Sequence, residues 1–332
     1  IDECSVFTRT ITFSDGEDAG ADGWTYSVNW GDGSTIETGS IAAGANSFDI
    51  SHFFADGDVG HDVSVTVTDV AGDSDTQQFR LNVNNVAPTL SIAGADDINE
   101  GGIYVLAITA TDPAGAADPL TYSIDWGDGS SLQSLTATEL AALGGNVEHV
   151  YADDEDGPVN ATPRTITVTA NDGDGGVTQQ SRSVTVHNVA PTLAVSGAAS
   201  QVQGTAYALT LGAVTDPGID TVTSYIVNWG DGNISSYDSA GEVSHIYAST
   251  GDFVITVDLI DEDGTHTEVA TQALAITAPT PTLSFEAGAD VTLDEGTTFT
   301  RTIVFSDGED NGAIGWGYTI DYGDGTIDTG TT

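Results

Sequence analysis

The sequence has 332 residues, 39% of them hydrophobic, and its 5 Lys plus Arg against 51 Asp plus Glu give a formal net charge of -46. This hydrophobic fraction supports folded cores, and the absence of any run of about 18 apolar residues argues against membrane insertion. A chain without a basic face cannot neutralise phosphates, which excludes nucleic acid as a partner and disfavours an anionic membrane surface.

The acidic residues are 38 Asp and 13 Glu, and many of the aspartates stand next to Gly in turn-like clusters. Short carboxylates in Gly-rich loops suit calcium, which is the predicted cofactor; the alternative is a diffuse acidic surface adapted to high salt. Cys4 is the only cysteine, so no intrachain disulfide can form, and whether Cys4 is functional stays open. Sulfur avoidance predicts an extracellular protein, and the absence of methionine predicts a stretch of a longer chain.

The chain repeats itself with a period near 100 residues. The strings NWGDGS, DWGDGS, NWGDGN and DYGDGT place their first Gly at 31, 127, 230 and 323, with spacings of 96, 103 and 93. Such a period is too long for helical solenoids or propeller blades and matches a small β-sandwich. Four modules are therefore predicted, the first without its opening strand and the last without its second half. They span 1–86, 87–189, 190–278 and 279–332.

Each module is predicted to consist of strands and turns. In 24–30 bulky residues alternate with small polar ones, which indicates a half-buried strand, and the Gly-Asp-Gly that follows indicates a hairpin turn. Alternation returns at 63–67, and equivalent strands are predicted in the later modules. The only helical turn predicted lies at 138–143. Asn-Val-Ala-Pro linkers at 85–88 and 188–191 lack flexible Gly/Ser tracts, which favours a stiff rod.

These motifs resemble a known family. An aromatic-Gly-Asp-Gly turn, then His-x-Tyr and a further strand, is similar to the PKD-type domain, an immunoglobulin-like β-sandwich; His-x-Tyr stands at 149–151 and 245–247 and is altered at 52–54. The Asn-Val-Ala-Pro linkers and the Glu-Gly…Asp-Pro pattern also resemble cadherin-like and other tandem repeats of giant bacterial adhesins. The resemblance implies an all-β fold of tandem immunoglobulin-like sandwiches in an elongated rod, with extracellular structural or adhesive use.

The recurring histidines and turn aspartates are interpreted as structural. His52, His149 and His245 recur in register without a Cys/His cluster or a Ser-His-Asp grouping, so neither a metal nor a catalytic role is indicated. An enzyme rarely needs the same site in every module, and no enzymatic activity is predicted. Turn chemistry alone accounts for the central aspartate of each Gly-Asp-Gly, and we expect these to be turn residues before calcium ligands. They are Asp32, Asp128, Asp231 and Asp324.

Calcium ligands are predicted first among Glu/Asp pairs spaced by 12 residues. The pairs are Glu3 with Asp15, Glu100 with Asp112, and Glu295 with Asp307. The strand between each Glu and its Asp would place them at opposite ends unless the chain bends. In cadherin-like repeats a Glu near the first strand and an Asp after the next join linker Asn/Asp around calcium between domains, and the resemblance implies that role here. The third module has Gln203 in the Glu position before Asp216, which puts that site in doubt.

Acidic loops provide the second set of predicted ligands. Asp172 with Asp174 and Asp261 with Asp263 lie in Asp-x-Asp-Gly sequences, and 15–18, 153–156 and 307–310 are similarly acidic. Calcium takes 6–8 oxygen ligands, and such loops supply several within a few residues. A solvated acidic loop is the alternative interpretation.

The leading functional hypothesis is a non-enzymatic repeat region of a secreted surface protein. It would be a calcium-stiffened stalk of an adhesin, or a subunit of an extracellular filament or surface layer. The alternative is a set of polysaccharide- or collagen-binding modules attached to a secreted hydrolase. Adjacent repeats or other copies of the chain are the expected partners, and strand addition between copies is a third hypothesis.

Overall fold

The computed structural model describes residues 1–14, 23–57, 59–154, 157, 160–280, 283–286, 288–307 and 316–331. These residues form 26 strands and one short helix, which confirms the predicted all-β class. None of the described helical segments is long and apolar enough to span a bilayer. The chain divides into two compact units, Ile1–Val189 with Asp216–Asp220, and Ala190–Thr215 with Thr221–Thr332.

The first part of the first unit is a two-sheet sandwich. Its strands are β1 (Ser5–Thr12), β2 (Trp24–Asn29), β3 (Glu37–Ile41), β4 (Ser47–Phe54), β5 (Val59–Asp69) and β6 (Ser74–Val83). The sheets have the order β3-β2-β5-β6 and β1-β4, with antiparallel pairing throughout. Alternating side chains from both sheets meet in a core around Val28, Trp30, Ile50 and Val63.

The second sandwich follows in the same unit. It contains β7 (Thr89–Ala93), β8 (Asp97–Asn99), β9 (Ile103–Thr111), β10 (Thr121–Asp125), β11 (Gln133–Thr136), α1 (Ala137–Ala142), β12 (Asn146–Val150), β13 (Ala161–Asn171) and β14 (Val177–His187). Its sheets are β11-β10-β13-β14-β8 and β12-β9-β7. Helix α1 confirms the one helical turn expected from the sequence, and a capping box of Thr136 and Glu139 begins it.

The second unit contains a third sandwich and further strand pairs. The third sandwich has β15 (Thr192–Gly197), β16 (Ser200–Val202), β17 (Ala206–Thr215), β18 (Ser224–Asn228), β19 (Ile234–Tyr237), β20 (Gly241–Ile246), β21 (Gly251–Ile260) and β22 (Thr265–Thr277), in sheets β15-β17-β20 and β16-β22-β21-β18-β19. After it come the pairs β23 (Leu283–Glu286) with β24 (Val304–Asp307), and β25 (Gly317–Asp321) with β26 (Ile327–Thr331).

The Gly-Asp-Gly segment makes a tight turn against a neighbouring strand. Gly127 has φ +77°, and a Cβ on it would lie 2.5 Å from the Thr165 carbonyl oxygen, so only glycine fits. The side chain of Asp128 accepts a hydrogen bond from the Ser130 amide at 3.0 Å. This confirms that the aspartate closes the turn.

The same aspartate also holds the recurring histidine. His149 stacks on Trp126 with ring centroids 4.4 Å apart, and its Nε2 lies 2.6 Å from Asp128 Oδ2. Equivalent contacts join the other two sets, His52–Asp32 at 2.6 Å and His245–Asp231 at 2.7 Å. Each histidine therefore covers one face of a buried tryptophan and is fixed by the turn aspartate, which agrees with its structural interpretation.

A buried tyrosine completes this arrangement in two modules. The hydroxyl of Tyr151 donates to the Trp126 carbonyl oxygen at 3.1 Å, and Tyr247 donates to that of Trp229 at 2.9 Å. Phe54 takes the equivalent position in the first module. The hydroxyl therefore satisfies a buried carbonyl oxygen that the first module leaves without this partner.

Replacing Tyr151 by Phe should destabilise the second module by about 1 kcal/mol, because a buried carbonyl loses its hydrogen bond while the ring still fills the core. Urea unfolding followed by tryptophan fluorescence measures the change. Tyr237→Phe, at a half-buried tyrosine on β19, is the control and should leave stability nearly unchanged. An equal decrease in the free energy of unfolding in both variants would show that the Tyr151 hydroxyl makes no specific contribution to stability.

The turn aspartate predicts a pH dependence. Burial acts to raise the pKa of Asp32, but hydrogen bonds from Ser34 and His52 outweigh it and lower the pKa to about 2. A depressed pKa stabilises the fold above the unfolded pKa of about 3.9, and this contribution disappears as the pH falls towards 2. Asp32→Asn should therefore cost roughly 2 kcal/mol at pH 6 and progressively less below pH 4.

Denaturant titrations of the wild type and Asp32→Asn between pH 6 and pH 2.5 test this. Asp62→Asn is the control, because Asp62 forms an exposed ion pair with Arg80 at 3.2 Å and such pairs contribute little. If Asp32→Asn lowers the free energy of unfolding by the same amount at pH 6 and at pH 2.5, the stabilising role given to ionised Asp32 is wrong.

Candidate metal centres

Five carboxylates converge where the first sandwich meets the second, and we name them the first acidic cluster: Glu3, Asp56, Asp112, Asp118 and Asp174. Ligand oxygens of Glu3, Asp112 and Asp118 all lie within 4.8 Å of one another, as do those of Asp56, Asp118 and Asp174. Glu3 precedes β1, and Asp56 lies between β4 and β5. The other three belong to the second sandwich, in the loops after β9 and β13. The two groups share Asp118.

Two members of the cluster, Glu3 and Asp118, are buried, Asp112 is partly buried, and Asp56 and Asp174 are exposed. Glu3 is 3% exposed and Asp118 is 2% exposed. Within the described part of the chain, Glu3 Oε2, Asp112 Oδ2 and Asp118 Oδ2 have no hydrogen-bond partner. Buried carboxylate oxygens without hydrogen-bond partners are costly, so these three residues are candidate ligands for a cation.

The electrostatics of Asp118 reflect this crowding. Burial, followed by the charges of Asp56, Glu3, Asp174 and Asp112, raises the pKa of Asp118 to about 7. The ion pairs of Arg80 and Arg182 are made elsewhere, with Asp62 and Asp96. The carboxylates of the cluster therefore repel one another in the absence of an added positive charge.

The linker is tied to the same region. Glu3 Oε1 accepts a hydrogen bond from the Val86 amide at 3.0 Å, and Asn85 Nδ2 donates to Asp172 Oδ2 at 2.9 Å. Asp172 Oδ1 accepts from the amides of Asp174 and Gly176. Burial opposes the ionisation of Asp172, but these hydrogen bonds prevail and lower its pKa. Asp172, a predicted calcium ligand, therefore anchors the linker, and Asp174 joins the cluster.

A second acidic cluster lies in the same unit and consists of Glu100, Asp153, Asp154, Asp216 and Asp220. Glu100 groups with Asp216 and Asp220, and again with Asp153 and Asp154, each time with ligand atoms within 4.8 Å. Glu100 is 1% exposed, and its Oε1 accepts from the Val189 amide at 2.7 Å. Burial raises the pKa of Glu100, the Val189 hydrogen bond opposes this, and the charge of Asp216 raises it further.

The two clusters correct the predicted pairing. Glu100 does not join Asp112, which lies 12 residues later in the same module. Instead Asp112 joins Glu3 and Asp216 joins Glu100, so the ligands come from successive repeats. Strand β9 separates Glu100 from Asp112 by about 30 Å, and the chain does not bend back. The glutamate beside Asp216 is therefore Glu100 of the preceding module, and Gln203 does not take part in that group.

The remaining predicted ligands are not brought together. Asp15 lies outside the described residues, as do most of the acidic positions at 15–18 and 307–310; Asp307 ends β24 and its side chain is not described. Glu295 is exposed and joins no acidic group in the described parts of the chain. Asp261 and Asp263 are buried, but Asp261 Oδ2 lies 2.7 Å from His266 Nε2, and neither belongs to a described group of three metal-binding side chains.

Three cluster members were not singled out from the sequence, namely Asp56, Asp118 and Asp220. Signals for them exist. A second aspartate follows two of the Asp-Pro sequences within six residues, namely Asp118 after Asp112 and Asp220 after Asp216. Asp56 follows the His-x-aromatic-Ala segment as Asp153 does in the next module.

Four of the five tryptophans have no exposed ring face. Trp24, Trp30, Trp126 and Trp229 are buried in the sandwich cores. Stacking of sugar rings needs an accessible aromatic face. The polysaccharide-binding alternative therefore gains no support from these four residues.

Comparison with known proteins supports the fold. Residues 188–276 match the family model of the PKD domain. Together with the sheets described above, this confirms the predicted PKD-type, immunoglobulin-like fold. A search of curated proteins finds no match.

Several solved structures resemble this chain at low sequence identity. A tetra-tandem repeat from the extending region of a large adhesion protein is 15% identical, with 86% of this chain and 73% of that chain covered and a TM-score of 0.35. Three N-terminal domains of the bacteriophage RB49 Highly Immunogenic Outer Capsid protein are 14% identical to this chain. The match covers 84% of this chain and 99% of that chain, with a TM-score of 0.27. Fibronectin(III)-like modules of Clostridium thermocellum CbhA are 16% identical to this chain. The match covers 57% of this chain and 94% of that chain, with a TM-score of 0.24.

Neutralising Asp118 should stabilise the protein when divalent ions are removed. A carboxyl group whose folded pKa is raised to about 7 lowers stability as the pH rises above its unfolded value of about 3.9. In EDTA at pH 8, Asp118→Asn should therefore raise the melting temperature, as measured by calorimetry. Asp125→Asn, an exposed aspartate at the end of β10, is the control. A lower melting temperature for Asp118→Asn in EDTA would contradict the repulsion described here.

Proposed function

We propose that this chain is a non-enzymatic structural region of a secreted surface protein, in which calcium ions bind the two acidic clusters and fix consecutive modules. The observation that carries the proposal is the convergence of buried carboxylates from successive repeats. Carboxylate oxygens of Glu3, Asp112 and Asp118 lie within 4.8 Å of one another. Each of these three residues has one buried oxygen without a hydrogen-bond partner in the described chain. Glu100 has the equivalent position in the second cluster.

Calcium fits this donor set better than other common metals. The grouped side chains are all carboxylates, which are hard oxygen donors, whereas zinc and copper prefer nitrogen and sulfur. Calcium accepts 6–8 oxygens in irregular geometry, while magnesium demands a regular octahedron and retains its water. Five carboxylates in each cluster supply the charge and several of the ligands that a calcium site needs.

The consequence of binding would be mechanical. Glu3 already holds the linker through the Val86 amide, and its second oxygen points to the aspartates of the following sandwich. A cation bound there would join the two sandwiches through charge–charge attraction and fix their angle. A site filled at 100 times its dissociation constant adds about 2.7 kcal/mol to stability.

The proposed setting is extracellular, as a stalk of an adhesin or a subunit of a filament or surface layer. Calcium is abundant outside cells, and sandwiches without disulfides need another source of stability there. In three modules a histidine contacts the turn aspartate and stacks on a buried tryptophan. Such repetition is what a structural element would show. Adjacent repeats are the proposed partners, and binding to other copies or to a cell-surface ligand remains a further proposal.

Calorimetry in calcium and in EDTA tests the proposal. Calcium should raise the melting temperature of the wild type by several degrees, because each filled site adds roughly 2–3 kcal/mol. Glu100→Gln should lose part of this increase, and the chain itself has Gln at the equivalent position 203, so the variant should fold. Glu148→Gln, at an exposed glutamate on β12, should keep the full increase. A wild-type melting temperature that is the same in calcium and EDTA would show the proposal to be wrong.

A further inference from the structure

We infer that the linker after the third module is a calcium-independent joint, because every group that the preceding module contributes to the first two clusters is replaced there. The inference rests on the proposed function, since it concerns which linkers calcium controls. The evidence comes from three places in the third sandwich and its linker: Gln203, Ser249 and the segment 278–279.

Gln203 occupies the backbone position of the two buried glutamates. The backbone amide of Gln203 donates to the carbonyl oxygen of Thr277 at 2.9 Å. In the same way, the backbone amide of Glu3 donates to the carbonyl oxygen of Asn84 at 3.0 Å, and that of Glu100 to the carbonyl oxygen of His187 at 2.9 Å. The side chain, however, is neutral, and its Nε2 donates to the Ala248 carbonyl oxygen at 2.7 Å. The position that supplies a buried negative charge to both clusters therefore supplies none in the third module.

The linker has changed in the same way. Aligned on the Pro-Thr-Leu at 88–90, 191–193 and 281–283, the valines whose amides bind the glutamates, Val86 and Val189, correspond to Pro279. Proline has no N–H, so this hydrogen bond cannot form. The linker asparagines Asn85 and Asn188 correspond to Ala278, which has no side-chain amide.

The aspartate that follows the His-x-aromatic-Ala segment is lost as well. Asp56 and Asp153 take this position in the first two modules, and each belongs to an acidic cluster. The third module has Ser249 there. A serine hydroxyl carries no charge and is a weaker ligand for a hard divalent cation than a carboxylate.

The residues that replace the calcium-binding groups favour a linker whose geometry is set by its own backbone. Pro279, Thr280 and Pro281 form a Pro-x-Pro sequence, and such sequences favour an extended, semi-rigid backbone without any bound ion. The angle at this linker would then be the same with or without calcium. The first linker, by contrast, would become fixed only when its cluster is filled.

Distance measurements between spin labels on the full chain test the inference. In a Cys4→Gly background, chosen because Gly stands at the equivalent positions 101, 204 and 296, one label pair spans the first linker and another spans the third. The first pair is Thr38→Cys with Ser181→Cys, and the second is Ser239→Cys with Thr329→Cys, all at exposed positions. Calcium should narrow the distance distribution of the first pair about twofold and leave the second unchanged.

A variant that restores the missing groups completes the test. Gln203→Glu, Ser249→Asp, Ala278→Asn and Pro279→Val together should make the distribution across the third linker narrow with calcium. Equal narrowing across both linkers in the unrestored chain would overturn the inference and leave the proposed function intact, as would a restored variant that stays insensitive. No change across either linker would overturn the proposed function and this inference with it.

Discussion

The repulsion between buried carboxylates is the constraint on which the rest of this chain depends. With 51 Asp plus Glu against 5 Lys plus Arg, the chain has far too few cationic side chains to compensate its carboxylates. The structure concentrates part of that charge where it is most costly, with Glu3 and Glu100 almost fully buried among aspartates. Such an arrangement is costly without positive charge from solution, and we propose calcium as its source because the ligand preference of calcium matches the clusters.

Aspartates in this chain have different roles, and the number of hydrogen bonds to each carboxylate separates them. Asp128 uses one oxygen for the Ser130 amide and the other for His149, and Asp172 uses both for backbone amides and Asn85. These carboxylates are already satisfied, and their pKa values are lowered although burial opposes this. Asp118 has no such partners, and burial raises its pKa. Aspartates whose two oxygens both accept hydrogen bonds shape turns and linkers, whereas Asp112 and Asp118 each keep a buried oxygen without a partner in the described chain and belong to a candidate metal centre.

Much of the fold could be predicted from the sequence, because strand alternation, Gly-Asp-Gly turns and the repeat are local signals. The composition of the sites could be predicted only in part. Glu3, Glu100, Asp112, Asp174 and Asp216 were expected as ligands, but the pairing of Glu100 with Asp112 was wrong, because β9 holds them apart and the partner comes from the next repeat. The contact of His149 with Asp128 joins residues 21 positions apart across two strands, and no local pattern indicates such a pair.

The most direct test is a crystal structure grown in calcium, with anomalous scattering measured after exchange for a lanthanide. The account predicts peaks between Glu3, Asp112 and Asp118 and beside Glu100, with oxygen distances of about 2.3–2.6 Å for calcium. It also predicts that Gln203 and Ser249 border no such peak. Clusters that stay free of metal at saturating calcium, with the glutamates turned to solvent or paired with other side chains, would contradict it.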